Sequence, residues 1–107
     1  MRRFASLRRK ADFVALRRHG RRFSTASLTI YRSPGGSEDR LSAVGITVGK
    51  TIGKAVVRNR LRRRLAALVD AALRDRAPVR LLVVPRPVAA TAAFATLRAE
   101  LDAAFRC

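Results

Sequence analysis

The chain has 107 residues, of which 24 are Lys or Arg and 7 are Asp or Glu, so its formal net charge is +17. This length suits one domain, residues 1–107, and an apolar content of 49% supports a packed core and argues against wholesale disorder. No apolar run approaches the roughly 18 residues of a membrane helix. Such a charge repels itself in a compact chain and favours a polyanionic partner. Nucleic acid is preferred to an anionic membrane surface because each neutralised phosphate releases counterions.

The first half of the chain predicts a helix followed by two strands. Apolar spacing indicates a helix over residues 9–19, which Gly20 ends. Residues 23–31 are rich in Thr, Ile and Tyr and predict a strand. The composition of residues 33–37 predicts a loop, and the alternation of apolar residues predicts a second strand over 41–48.

The second half predicts a helix, a strand and a helix. Residues 49–53 form a connector, and a long helix runs over 54–76 until Pro78 prevents its continuation. Residues 79–84 are almost continuously apolar, as expected of a strand that is covered on both faces. An apolar stripe predicts the last helix over 91–105. This order of elements predicts a small α/β layer protein.

The long helix has one apolar face and one basic face. Its apolar stripe, roughly 80° wide, consists of Val57, Leu61, Leu65, Leu68 and Ala72. The side chains that point away from this stripe are those of Asn59, Arg60, Arg62 and Arg63, with Arg58 and Arg64 at the margins. A solvated face is the alternative interpretation, but no acid lies between Lys50 and Val69 to form i,i+4 pairs. Unrelieved positive charge at a helix N-terminus costs about 0.3–1 kcal/mol per charge, so the pattern predicts a helix that binds phosphates.

The same residues carry a resemblance to a known family. Lys50, Ile52-Gly53, Ala55-Val56, Arg58-Asn59-Arg60 and Arg62-Arg63 resemble the RNR signature of the protein subunit of bacterial ribonuclease P. The resemblance extends to Leu7, Asp12-Phe13, His19-Gly20, Tyr31, Leu82-Val83-Val84 and Arg86-Pro87. It implies an α+β two-layer sandwich in which a mixed sheet of about four strands packs with three helices, in the order α-β-β(β)-α-β-α. It also implies a fold like a ribosomal-protein domain, with a left-handed βαβ crossover.

The resemblance further implies a function in tRNA maturation. The family's enzyme removes the 5′ leader of precursor tRNA, its catalytic component is an RNA with bound Mg²⁺, and the protein is an accessory subunit with no obligate protein partner. RNA-binding residues would be Lys50, Lys54, Arg58, Asn59, Arg60, Arg62 and Arg63. A cleft for the single-stranded leader would comprise Phe13, Arg17, Thr29, Tyr31 and Thr47. The chain has Arg17 where members often carry a second aromatic, and Ala66-Ala67 where they often carry Arg-Glu.

Other interpretations of the sequence remain open. From the residues alone, Phe13 is better explained as a core residue and Tyr31 as a strand aromatic at a sheet edge, and the resemblance makes base stacking at least an equal interpretation. The charge also suits a ribosomal protein or a DNA-binding module. The acids are scattered, and one His and one Cys do not indicate a metal site. The lone Cys107 and the absence of a secretory signal predict the cytoplasm.

Overall fold

The computed structural model describes residues 3–36 and 39–106. The strands are β1 (Phe4–Ser6), β2 (Arg21–Ser24), β3 (Leu28–Pro34), β4 (Ser42–Ile46) and β5 (Val79–Pro85). The helices are α1 (Lys10–His19), α2 (Ala55–Ala72) and α3 (Phe94–Arg106), with short 3-10 turns at Lys50–Ile52 and Pro87–Ala90. None of the helices in these ranges combines the length and the hydropathy that a membrane-spanning segment requires.

The strands form one mixed sheet in the order β1-β4-β5-β3-β2. Strand β4 is parallel to both β1 and β5, whereas β3 is antiparallel to β5 and β2. The β4-α2-β5 segment is therefore the crossover that the resemblance implies to be left-handed. The mixed sheet and the three helices confirm the predicted fold class, with one strand more than the four expected.

The two faces of the sheet are covered by different helices. Leu81 and Val83 of β5 lie in the main core, which α2 and α3 cover. Leu82 and Val84 point to the opposite face, where Leu16 of α1 packs in a smaller core. The alternation follows from the strand period of two, and it explains why β5 is almost continuously apolar.

The strand predicted over residues 23–31 is in fact the β2–β3 hairpin. Its turn is closed by the Thr25 N–H, which donates to the Leu28 carbonyl at 2.8 Å, and by the Leu28 N–H, which donates to the Thr25 hydroxyl at 3.0 Å. Strand β3 then continues through Pro34, where a loop was expected, because it pairs with β5 along its whole length. Ser37, in the same predicted loop, lies outside the described residues.

Two side chains from distant parts of the chain hold this turn. Glu100 of α3 accepts the Ser27 N–H at 2.7 Å. Arg86 donates to the Thr25 carbonyl and, at 3.0 Å, to the Ser24 hydroxyl. Burial alone would raise the pKa of Glu100, but hydrogen bonding by Thr25 and Ser27 together with the charge of Arg86 holds that pKa below its usual value. An ionised Glu100 therefore stabilises the turn of the hairpin.

Helix α2 ends at Ala72, four residues earlier than the sequence predicts. Asp75 has a φ of 59°, in the left-handed region, and this turn stops the helix before Pro78 can. Arg76 then reaches back to donate to the Ala72 carbonyl at 2.9 Å and to the Phe105 carbonyl of α3 at 3.3 Å. The end of α2 is thus fastened to the end of α3.

Candidate RNA-binding surface

The turn before α2 gives the basic segment its direction. Gly53 has a φ of 143°, a conformation that L side chains rarely adopt, so a glycine is required at this position. The turn places Lys50 at the start of the 3-10 segment and Lys54 at the N-cap of α2, and both side chains are exposed. No side chain caps α2 and no acid lies in its first turn, so its N-terminal amides keep their capacity for an anion.

The first half of α2 presents the predicted basic face. Arg60, Arg62 and Arg63 are exposed, whereas Leu61, Leu65 and Leu68 of the apolar stripe are buried. Asn59 accepts a hydrogen bond from Arg62 at 2.9 Å, which orients that guanidinium along the helix. Arg58 is half-buried, and its Nε has no hydrogen-bond partner among the described residues. Four of the predicted RNA-binding side chains therefore lie within less than two helical turns, together with the Asn that orients one of them.

These cations have no acidic partners within the described ranges. The ion pairs join Arg3 to Asp70, Arg80 to Asp12 and Asp39, and Arg98 to Asp102, and none involves a residue between Lys50 and Arg64. A face that served only solubility would interleave charges of both signs. The α2 surface is therefore electrostatically complementary to phosphate groups.

Helix α1 covers one row of residues across the sheet. Tyr31, Leu82 and Gly45 are register partners on β3, β5 and β4. The Phe13 ring lies directly on Gly45, where an added Cβ would come within 2.8 Å of the ring, and the Arg17 guanidinium lies 5.8 Å from the centre of the Tyr31 ring. This cation–π contact places the planar guanidinium of Arg17 beside the Tyr31 ring, so that both groups can stack on bases.

The next row of the sheet carries the two predicted threonines. Thr29 pairs with Val84, and the Thr47 N–H donates to the Val83 carbonyl at 3.0 Å, which extends the ladder by one residue and sets Thr47 beside Val84. Thr29 is only 8% exposed, whereas Thr47 is exposed and Val84 is half-buried. The five side chains of the predicted cleft thus share one face of the sheet; their contact with a leader remains a prediction.

A groove joins this face to α2. It has a volume of 270 Å³ and is lined by Phe4, Ser6 and Leu7 from β1 and the residue after it, by Phe13 of α1, by Val44, Gly45 and Ile46 of β4, and by Arg62, Arg63 and Ala66 of α2. Phe13 belongs both to the cleft face and to the groove. Sequence patterns did not predict this groove, because its lining comes from β1, α1, β4 and α2, which only the fold brings together.

Sequence reasoning also missed two residues of the cleft face. Gly45 looks like an ordinary small residue in the sequence, yet the Phe13 ring occupies the space that a side chain would need. Arg86 follows Leu82 and Val84 at the strand period of two, so this alternation could have placed it on the same face. Its guanidinium donates to Ser24, the register partner of Thr29, and so lies at the rim of the cleft.

Within the described ranges no three His, Cys, Asp or Glu side chains converge as metal ligands would. The surface therefore consists of a basic helix, an aromatic and hydroxyl-bearing sheet face, and the groove that joins them. Phosphate-binding cations beside stacking aromatics are typical of proteins that bind RNA, particularly single strands. The fold and the surface thus define an RNA-binding protein of the α+β class.

Comparison with known proteins identifies the family. The model of the ribonuclease P protein family matches residues 1–107, so the chain belongs to this family, which functions in tRNA processing. The fold is similar to that of the ribonuclease P protein of Staphylococcus aureus, with a TM-score of 0.82 and 20% identity over 94% of this chain and 92% of that one. It is also similar to the Thermotoga maritima protein, with a TM-score of 0.73 and 23% identity over 91% of each chain. No curated protein matches the chain significantly.

Proposed function

We propose that this protein is the accessory subunit of ribonuclease P and helps a catalytic RNA to remove the 5′ leader of precursor tRNA. The observation that carries the proposal is the unpaired arginine face of α2 beside an aromatic sheet face, in a chain of this family. The two surfaces suit two RNA partners, one folded and one single-stranded.

The α2 surface suits the backbone of a folded RNA. Arg58, Arg60 and Arg62 supply forked donors, and Lys50 and Lys54 extend the positive charge around the helix start. Because an Arg-rich face contacts phosphates more than base edges, this surface would position the catalytic RNA rather than recognise its sequence.

The cleft face suits the single-stranded leader. The Phe13 and Tyr31 rings offer surfaces on which bases can stack, and Arg17 adds a stackable cation. The hydroxyl groups of Thr29 and Thr47 can form hydrogen bonds with ribose or base atoms. Stacking does not depend strongly on base identity, so we expect leaders of different sequence to bind.

The acidic residues suit a structural role better than hydrolysis. Asp12 and Asp39 both lie against Arg80, and Asp70 binds Arg3 at 2.8 Å. These ion pairs support assigning catalysis to the RNA, with Mg²⁺ bound mainly by that RNA and its phosphates. We place the complex in the cytoplasm, away from membranes, and without an obligate protein partner.

A cleavage assay tests the proposal. Precursor tRNA and the cognate catalytic RNA are incubated at low Mg²⁺ with and without the protein, and mature 5′ ends are measured. We expect cleavage to be faster when the protein is present, and faster for a substrate with a leader of several nucleotides than for one with a single nucleotide. Equal rates with and without the protein would contradict the proposal.

A further inference from the structure

The groove between β1 and α2 has apolar walls and a cationic rim. Phe4, 7% exposed, belongs to the main core together with Val44 and Ala66, whereas Leu7, 8% exposed, belongs to the smaller core on the α1 side, so the two residues reach the groove from opposite faces of the sheet. With a volume of 270 Å³, the groove lies just below the roughly 300–1,000 Å³ of pockets for drug-sized ligands. It therefore suits one ring-sized group.

The two arginines at the rim of the groove have unused hydrogen-bond donors. Arg63 has no hydrogen-bond or ion-pair partner in the described part of the chain, and Arg62 uses a single donor on Asn59. Each guanidinium has five N–H donors in a planar fork that matches a phosphate. A ligand that satisfies both parts of the groove has a flat, largely apolar body and an anionic end.

The wall that β1 contributes is fixed in place. The Leu7 N–H donates to the Val44 carbonyl at 2.9 Å, which holds the end of β1 against β4. Asp70, one helical turn beyond Ala66, accepts the Arg3 backbone N–H at 2.6 Å and its guanidinium at 2.8 Å. These bonds hold β1 to α2 as well as to the sheet, so the groove exists before any ligand binds.

We propose that this groove binds one unstacked nucleotide of single-stranded RNA. Its base would lie among Phe13, Ile46 and Ala66, and its phosphate would bind Arg62 and Arg63. The inference rests on the proposed function, because it takes the strand from the family's RNA partners. The groove begins at Phe13 of the cleft and ends at the arginines of α2, so a strand that enters it connects the two surfaces.

A titration of the free protein tests the groove itself. The methyl resonances of Ala66, Val44 and Ile46 are followed by NMR during addition of adenosine 5′-monophosphate, with inorganic phosphate and adenosine as separate controls. We expect the mononucleotide to shift all three methyl signals through the ring current of the base, and inorganic phosphate to leave them in place. Unmoved methyl signals, or equal shifts with phosphate, would overturn the proposal.

A matched pair of substitutions tests the groove in the assembled enzyme. Ala66→Leu fills the groove from α2, whereas Ala67→Leu adds the same side chain at the adjacent, exposed position. Thermal unfolding checks that both variants fold, and affinities are measured for precursor tRNA and, separately, for the catalytic RNA. We expect Ala66→Leu to weaken one of these affinities by roughly 5- to 150-fold, the range of one base contact, and Ala67→Leu to change neither.

The affected affinity identifies the strand that supplies the nucleotide, the leader or a segment of the catalytic RNA. Equal affinities of Ala66→Leu and Ala67→Leu for both RNAs would overturn the groove proposal. The accessory function would still hold if the wild-type protein stimulates cleavage. Failure of the wild-type protein to stimulate cleavage would instead contradict the proposed function, and the mononucleotide titration would still decide whether the groove binds a base. The two proposals therefore fail by different measurements.

Discussion

Replacing Gly45 with alanine should displace Phe13 from the sheet. A Cβ at this position would lie 2.8 Å from Phe13 Cε1, 3.1 Å from Cζ and 3.3 Å from Leu82 Cδ1. Contacts below 3.0 Å require the ring to move, and Leu82, fully buried beneath α1, leaves no space to one side. The ring must therefore tilt into the cleft or lift α1 from the sheet.

The change in the free energy of unfolding for Gly45→Ala is the sum of two opposing effects. Overpacking a well-packed site costs about 1–3 kcal/mol, whereas the change from glycine to alanine restricts the unfolded chain and returns about 0.4–1 kcal/mol. We expect a net loss of about 1–2 kcal/mol, or a fall in melting temperature of roughly 4–15 °C for a domain of this size. Gly49→Ala is the control, because its nearest neighbour is Thr51 Oγ1 at 3.9 Å and its φ of −77° suits alanine.

Urea unfolding of the two variants measures the difference, and binding of a single-stranded RNA measures its consequence for the cleft. Gly49→Ala should be as stable as the wild-type protein or slightly more so. Gly45→Ala should lose stability and bind the RNA less tightly, because the stacking ring is misplaced. If both variants unfolded at the same urea concentration, the seating of Phe13 on Gly45 would be wrong.

Three further predictions concern charge. Arg60→Ala should reduce the slope of log K against log salt for RNA binding by about 0.7–0.9, whereas Arg98→Ala on α3 should leave it unchanged; an unchanged slope for both would show that Arg60 faces only solvent. The pKa of Glu100 is lower in the folded chain than its ordinary value of 4.5, so the ionised carboxylate stabilises the fold above pH 4.5. This stabilisation is lost as the pH falls through the folded-state pKa. Urea unfolding at pH 6 and pH 3.5 should therefore show a smaller acid loss for Glu100→Gln than for wild type, and parallel losses would refute the role of this carboxylate. Asp70→Asn should cost about 0.5–1.5 kcal/mol, since the Arg3 pair is partly exposed, and differential scanning calorimetry would detect a shift of a few degrees.

Local patterns predicted the fold class and most of the elements. The apolar stripe of α2 and the continuous run of β5 are each set by residues close in sequence, so periodicity finds them. The division of residues 23–31 into two strands depends on Glu100 and Arg86, which lie more than 50 residues away and satisfy the turn between the strands. Composition near the turn carries no sign of partners at that distance.

In the candidate site, too, the sequence predicts the residues that are close together in the chain better than those that only the fold brings together. The arginines of α2 form a local run, and helix geometry places them on one surface. The cleft residues come from α1, β3 and the end of β4, and only the sheet register makes them neighbours, so the sequence could suggest them through resemblance alone. The groove beside Ala66 depends on β1, a three-residue strand that forms because β4 offers it a parallel edge.

Two groups of arginines in this chain differ in what their guanidinium groups contact. Arg86 divides one guanidinium among the Thr25 and Leu28 carbonyls and the Ser24 hydroxyl, and Arg76 joins the ends of α2 and α3. On the exposed α2 face, Arg62 bonds only the neighbouring Asn59, and Arg60 and Arg63 have no hydrogen-bond or ion-pair partner within residues 3–36 and 39–106. A guanidinium-modifying reagent would therefore find free groups on α2, whereas Arg86 is half-buried and Arg76, although exposed, is held by two carbonyl groups. We expect the α2 arginines to react first, so that RNA binding falls while the fold persists.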